Sequence, residues 1–311
     1  MSETWAWLGV ARGRFLPLTL SCVALGLALA LPPGQSAALP LGEALLVLIG
    51  ALAAHVAVNA LNEHGDYRSG LDLRTRRTAF SGGSGTLVAH PHLLGRALLL
   101  GVGSLLTCAL IGLFFLLRQP QLLASLAPLG LAGLLLVLAY TPWLTRHPWL
   151  CLFAPGLGFA LMVLGARLVL GGPLDSRDLL LTLVPLLLCN NLLLLSQFPD
   201  IDADRAAGRR TLPMQIGVTG ALRVALLQWL LAYGLLLAAP WQRELSGAAL
   251  GLLTLPLALR AAWLLRRDAL EAQRLLPALG LNAAVSVATP LLMAVGLLVV
   301  WQAGAALVGP G

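Results

Sequence analysis

The sequence predicts an all-α integral membrane protein, with about nine transmembrane helices in one bundle. Three observations predict it. Hydrophobic residues make up 59% of the 311 residues and charged residues 11%, with a mean hydropathy of +0.88, outside the range of soluble globular domains. Apolar stretches of about 20 residues recur along the whole chain, the length a helix needs to cross a hydrocarbon core of roughly 30 Å. The arginines divide unevenly between alternate loops, as positive-inside topology requires.

Nine stretches carry the prediction, at 15–33, 42–62, 93–117, 121–140, 149–170, 179–198, 220–240, 246–265 and 278–301. Arg12 and Arg14 precede the first, but that run is too long for a signal peptide and eight more follow it. All 20 basic residues are arginine. With a cytoplasmic N-terminus, 16 of them face the cytoplasm and four, Arg118, Arg167, Arg177 and Arg243, face the other side. The net charge of +7 therefore reflects topology; the expected partner is the lipid bilayer and no nucleic acid. The absence of lysine points to a GC-rich bacterial genome, and hence to the bacterial inner membrane. Trp5, Trp7, Trp143, Trp149, Trp241 and Trp301 fall near span ends, as interface anchors do. Cys22, Cys108, Cys151 and Cys189 stand alone in apolar sequence, without metal or redox spacing, and read as packing residues. No soluble domain is visible, and residues 1–311 read as a single transmembrane domain.

Charge is otherwise avoided, yet six of the 13 carboxylates fall in two windows. The first, after the second span, holds Asn62, Glu63, Asp66, Arg68 and Asp72. The second, after the sixth, holds Asp200, Asp202, Asp204, Arg209 and Arg210. Asn62 and Asp66 are four apart and share a helix face if the span continues one turn; Asp200 and Asp204 repeat the spacing, with Ser196 a turn earlier. Asp202 points elsewhere, to water or an arginine, and Asp72 lies beyond Gly70, from where it can fold back toward Asp66. Magnesium takes oxygen ligands, commonly one or two carboxylates completed by water and phosphate, and arginine offers planar, bidentate contacts to phosphate. The windows therefore point to a divalent cation bridging to a phosphorylated substrate. The segment Phe80-Ser-Gly-Gly-Ser-Gly-Thr86 lacks the Gly-Lys-Ser/Thr ending of a nucleotide loop and reads first as a flexible connector, and second as an anion nest of backbone amides. His55 reads as a neutral core histidine, and Asn190 and Asn191 as helix staples.

On these motifs the chain resembles the UbiA superfamily of membrane prenyltransferases over essentially its whole length. That family carries two aspartate-rich motifs, after the second and sixth of nine helices. The first matches as Asn62, Asp66 and Asp72; the second matches as Asp200 and Asp204 followed by Gly208, Arg209, Arg210, Thr211 and Leu212. The long step from Asp66 to Asp72 is closest to the 1,4-dihydroxy-2-naphthoate, or menaquinone, branch. The resemblance implies a central cavity open to the cytoplasmic side, Mg2+ as cofactor, a polyprenyl diphosphate donor and an aromatic acceptor. It implies that Asn62, Asp66, Asp72, Asp200 and Asp204 hold the metal, the four aspartates being catalytic. It further implies that Arg209, with Arg68, Arg210 and Tyr140, contacts the substrate. Departures stand at Glu63, commonly Asp in the family, at Ser196, often Asn, and at Phe159, where the menaquinone branch often has an acid. Other readings are the same chemistry on hydroxybenzoate, homogentisate, a haem or chlorophyll precursor or a lipid alcohol, a cation-coupled secondary transporter, or an inactive scaffold. Transporter sites usually sit near the bilayer midplane on broken helices, whereas these acids stand at span ends.

Overall fold

A computed structural model describes residues 3–31, 40–75, 77–269, 271 and 274–308. Arg76 and the side chains of Trp5, Arg243 and Trp301 lie outside the described residues. Among the described residues the regular elements are all helical, and nine segments are long and apolar enough to cross a membrane.

A short N-terminal helix α1 (Glu3–Val10) precedes α2 (Leu16–Ala30), the first span. The second, α3 (Leu41–Arg68), outruns its apolar stretch because the acid-bearing turns stay helical. Two small helices follow, α4 (Leu71–Arg74) and α5 (Thr86–Ala89), and then α6 (Leu94–Arg118), α7 (Leu123–Tyr140) and α8 (Pro148–Gly171). The sixth span, α9 (Ser176–Ser196), opens on a capping box in which Asp175 accepts from the backbone of Arg177 and Asp178 while Asp178 accepts from Asp175. Beyond the short α10 (Ile201–Ala206) comes α11 (Leu212–Ala238), broken at Gly217 (φ 75°, ψ 163°), so its continuous part begins close to the expected boundary at 220. The eighth span starts as a 3-10 run, Arg243–Thr254, and continues as α12 (Leu255–Asp268) before α13 (Leu276–Val308) closes the chain. A Cβ on Gly247 would sit 2.3 Å from the carbonyl oxygen of Gly296. Glycine at both positions lets the 3-10 run lie backbone to backbone against α13, the close approach that helices use in lipid.

The main apolar core joins α2, α8, α9, α11, α12 and α13. In contrast, α6 and α7 bury little of their length, as helices facing lipid should. Buried amides fasten the core. Asn190 Oδ1 accepts from Gly156 N at 3.0 Å, and Asn191 donates to the Ala225 carbonyl at 2.9 Å while accepting from Gln228 at 2.8 Å. Stapling is thus the role these amides take, as expected. The four cysteines are free, and Trp143, Trp149 and Trp241 are exposed near span ends.

Candidate active site

The last turns of α3 set Asn62 and Asp66 on one buried face. Gly70 adopts the left-handed conformation (φ 75°) and reverses the chain, so α4 carries Asp72 back into the interior. The second cluster is built differently from the helix its spacing suggests. The sixth span stops at Ser196, residues 197–200 form a turn, and Asp200 stands at the N-cap of α10 with Asp204 one turn on. Pro199 explains the break, because the residue before a proline is pushed out of helical geometry. Asp202 faces water, 96% exposed, and pairs with Arg205 at 3.0 Å. Helices α4 and α10 touch, so both clusters meet at one end of the bundle.

Arg209 joins them. Its guanidinium donates to Asp66 Oδ1 and, at 3.3 Å, to Asp204 Oδ1. A second arginine, Arg12, completes the first cluster from the start of the chain. It donates to Asn62 Oδ1 at 2.8 Å and to Glu63 Oε1 at 3.2 Å, and Asn62 in turn donates to Thr141 at 3.1 Å. In sequence Arg12 looked like a topology signal, and no local pattern marks it as a site residue. The glycine-rich segment departs from the expected flexible connector. Ser84 donates from its backbone (2.6 Å) and hydroxyl (2.9 Å) to Glu63, and Gly82 donates from its backbone to Asp200 Oδ2 at 2.9 Å. The loop thereby bolts one cluster to the other. Gly83 has φ +70°, and a Cβ there would lie 2.8 Å from Asp72 Oδ1, so glycine is required twice over.

Burial raises the carboxyl groups. Asp72 is pushed up to about 7, by desolvation first and then by the charges of Glu63 and Asp66. Asp200 reaches about 7 through burial and the nearby Asp204. Asp204 reaches about 6, where burial outweighs the pull of Arg209. Arg209 is itself held above its ordinary value: burial works against its charge, but Asp66 and Asp204 together prevail.

Asp200 Oδ1 and Gln197 Oε1 are buried without a hydrogen-bond partner. Among the described residues no three His, Cys, Asp or Glu side chains converge closely enough to hold an ion unaided. Carboxylates held under charge strain, unpartnered acceptor oxygens and an incomplete protein shell fit a hard divalent cation that keeps water and phosphate ligands.

The acids surround a polar pocket of about 90 Å³. It adjoins a larger chamber of about 340 Å³ lined mostly by apolar side chains. Arg12, Phe15, Asn62, Phe80, Tyr140 and Ser196 line both. Asp66, Asp72, Asp200, Asp204 and Arg209 line the polar pocket, and Tyr140 stands at the junction. Arg68 and Arg210 are exposed and line neither cavity; the Arg210 backbone donates to the Thr145 carbonyl at 3.2 Å. Ser196 and Gln197, at the position where the resemblance expects an asparagine, both line the polar pocket.

Residues 19–283 match the UbiA prenyltransferase family. The 1,4-dihydroxy-2-naphthoate octaprenyltransferase of Bacillus subtilis (strain 168) is 26% identical over 211 residues, 63% of this chain. The match spans 64% of that relative, just under two thirds of its length. Among solved structures, a UbiA homolog from Archaeoglobus fulgidus bound to DMAPP and Mg2+ superposes with a TM-score of 0.64 at 14% identity, covering 93% of this chain and 99% of that one. The apo structure of a UbiA homolog from Aeropyrum pernix K1 gives 0.61 at 20% identity, covering 91% and 97%. At such identities these structures speak for the fold.

Proposed function

The chain belongs to the UbiA prenyltransferase family, and from that premise we propose that it transfers a polyprenyl group from an allylic diphosphate to an aromatic acceptor, with 1,4-dihydroxy-2-naphthoate the acceptor it fits best. The observation that carries the reading is the pairing of two aspartate clusters around Arg209 at the mouth of an apolar chamber. A diphosphate needs cationic partners and a prenyl chain needs a dry, apolar slot. Here the two stand side by side.

In this reading Asn62, Asp66, Asp72, Asp200 and Asp204 hold Mg2+, and the ion, when bound, neutralises diphosphate charge as a Lewis acid. Arg209 swings between the carboxylates and the leaving group, where its planar fork suits phosphate oxygens. Arg12 adds a second positive charge at the mouth, and Tyr140 marks the edge where the allylic carbon lies. The C–O bond to diphosphate breaks with its electron pair on the leaving oxygen. The ring carbon forms the new C–C bond and then releases its own substituent, a proton or a carboxyl group as CO2, to restore aromaticity. Apolar walls exclude water from the cation-like carbon, and preorganised charge at the mouth stabilises the departing anion. Glu63 serves the architecture, tying Arg12 to the Ser84 loop. The arginine distribution supports a cytoplasmic N-terminus and mouth, in a reading where the chain is one transmembrane domain of a bacterial inner membrane. The naphthoate preference rests on the Bacillus relative and the Asp66-to-Asp72 spacing.

The test is prenyl transfer by purified protein in lipid with Mg2+, radiolabelled polyprenyl diphosphates and a panel of aromatic acceptors, with Asp66→Ala and Asp204→Ala as controls. A Mg2+-dependent naphthoate product, lost in both variants while membrane insertion persists, is the expected result. Product on a different ring keeps prenyl transfer and overturns the acceptor. Failure to consume any donor overturns the function, and a variant with near-wild-type turnover overturns the metal-site assignment.

A further inference from the structure

The large chamber carries polar groups that a hydrocarbon tail cannot use. His55 is buried on α3 and lines the chamber. One ring nitrogen, Nδ1, is engaged by the Thr19 hydroxyl at 2.6 Å, and the ring edge meets Phe159 at a centroid distance of 5.1 Å and an angle of 86°. The other nitrogen, Nε2, has no partner among the described residues. Asn282, on α13, lines the same chamber with both amide atoms buried and unpartnered. Buried polar groups are almost always hydrogen-bonded, and those that are not call for an explanation. The prenyl tail has no polar atom to offer. Seven residues along the helix separate His55 from Asn62, about 10 Å along the axis, so His55 lies about one aromatic substrate's depth below the mouth.

We infer that His55, supported by Asn282, binds a ring hydroxyl of the aromatic acceptor inside the chamber and thereby sets acceptor specificity. This rests on the prenyl-transfer reading of the site. Thr19 fixes the ring in one orientation, so Nε2 meets the hydroxyl without losing rotamer freedom on binding. Arg12 is the one Arg, Lys, Asp or Glu among the described residues lining the chamber. A carboxylate on the acceptor therefore stays at the mouth beside Arg12 while the hydroxyl points inward to His55. The ring's reactive edge is then held next to the allylic carbon. A ring without a hydroxyl would leave the imidazole and amide unsatisfied, and that penalty is the source of discrimination.

The test uses full-length protein in lipid with Mg2+, measuring KM separately for polyprenyl diphosphate and for 1,4-dihydroxy-2-naphthoate in wild type, His55→Leu, His55→Gln and Asn282→Leu. Equilibrium binding of 1-hydroxy-2-naphthoate, without donor, supplies a readout independent of turnover. Loss of the hydrogen bond in His55→Leu is expected to weaken acceptor KM and naphthol binding about tenfold, with donor KM unchanged. The glutamine variant, which keeps a donor and an acceptor, should recover most of the loss, and Asn282→Leu should shift the same constants in the same direction. Unchanged acceptor constants in His55→Leu overturn the inference, as does a parallel rise in donor KM or a failure of glutamine to rescue. Wild-type protein that binds no naphthol overturns it too. A His55-dependent naphthol affinity without donor consumption would instead overturn the prenyl-transfer reading and leave the binding site standing. Prenyl transfer indifferent to His55 would do the reverse.

Discussion

Replacing Arg209 with methionine leaves two buried carboxylates facing each other without a counter-charge. Asp66 and Asp204 are 5% and 4% exposed, so water from the polar pocket replaces the arginine's charge only in part. Removing one partner of a buried ion pair typically costs about 3–5 kcal/mol. The carboxylates have an escape, because either can take up a proton. That escape costs about 1.4 kcal/mol for every pH unit above the unfolded-state value, which for aspartate is 3.8. At pH 5 Asp204, held near 6, is already protonated, so the penalty is limited to about 1.5–2 kcal/mol for Asp66 alone; at pH 8 protonation would cost more than about 5, and the full burial cost applies. The loss in Arg209→Met should thus be about 3–5 kcal/mol at pH 8 and clearly smaller at pH 5. At roughly 2 °C per kcal/mol for a chain of this size, that is a drop of about 6–10 °C at pH 8. Thermal unfolding in one detergent at a fixed scan rate reads it, with Mg2+ chelated. Saturating Mg2+ should restore part of the loss at pH 8, because a bound cation supplies the missing charge. An equal loss at both pH values, or none, would refute the idea that Arg209 is what keeps the two clusters together.

Three further outcomes follow from the same geometry. Apparent Mg2+ affinity should rise with pH and level off above about 7, since Asp72 and Asp200 near 7 and Asp204 near 6 must lose protons to bind the ion; isothermal titration across pH 5.5–8.5 checks this, and a flat profile would mean other groups bind it. The sign for the metal-free protein is opposite: folded values lie above 3.8, the unfolded chain holds fewer protons between about pH 4 and 7, and stability falls as pH rises through that window. Gly83→Ala should cost about 1–3 kcal/mol through its left-handed backbone and the 2.8 Å approach to Asp72, with catalysis falling together with stability; full retention of both would show that the loop is free to rearrange. Arg68→Ala and Arg210→Ala should each change kcat by less than about threefold, because exposed charges beyond both cavities are screened by salt, and a hundredfold loss in steady-state assays would return them to the substrate.

What could be read from the sequence divides along a physical line. The bilayer imposes one length and one composition on every span, so nine stretches and their order were legible, and the arginine asymmetry came with them. The aspartates were legible because the chain has few acids and six of its 13 carboxylates fall in two windows. Three features were not. The break after Ser196 was hidden because four-residue spacing looks alike on a continuous helix and across a proline-induced turn, even though Pro199 was in view. Arg12 pairs with Glu63 across 51 residues, and a contact so distant leaves no periodicity in either segment. The Ser81–Gly85 loop has the composition of a linker, and only the positions of Glu63 and Asp200 turn its backbone amides into clamps. Composition reports what a segment can do when alone, and these residues act through what is brought to them.

That distinction also bears on how the site works. Arg209 occupies the space between Asp66 and Asp204, while Asp200 relies on the Gly82 amide and Asp72 carries a raised proton affinity. Every acid in the cluster is thus either paired with something displaceable or inclined to protonate. A cation arriving with a diphosphate would replace several weak arrangements at once and free Arg209 for the phosphate oxygens. A fully satisfied carboxylate cage would have no such reason to exchange partners. On the proposed reading, this imperfect pairing is what would let the site accept a charged donor and release the diphosphate afterwards.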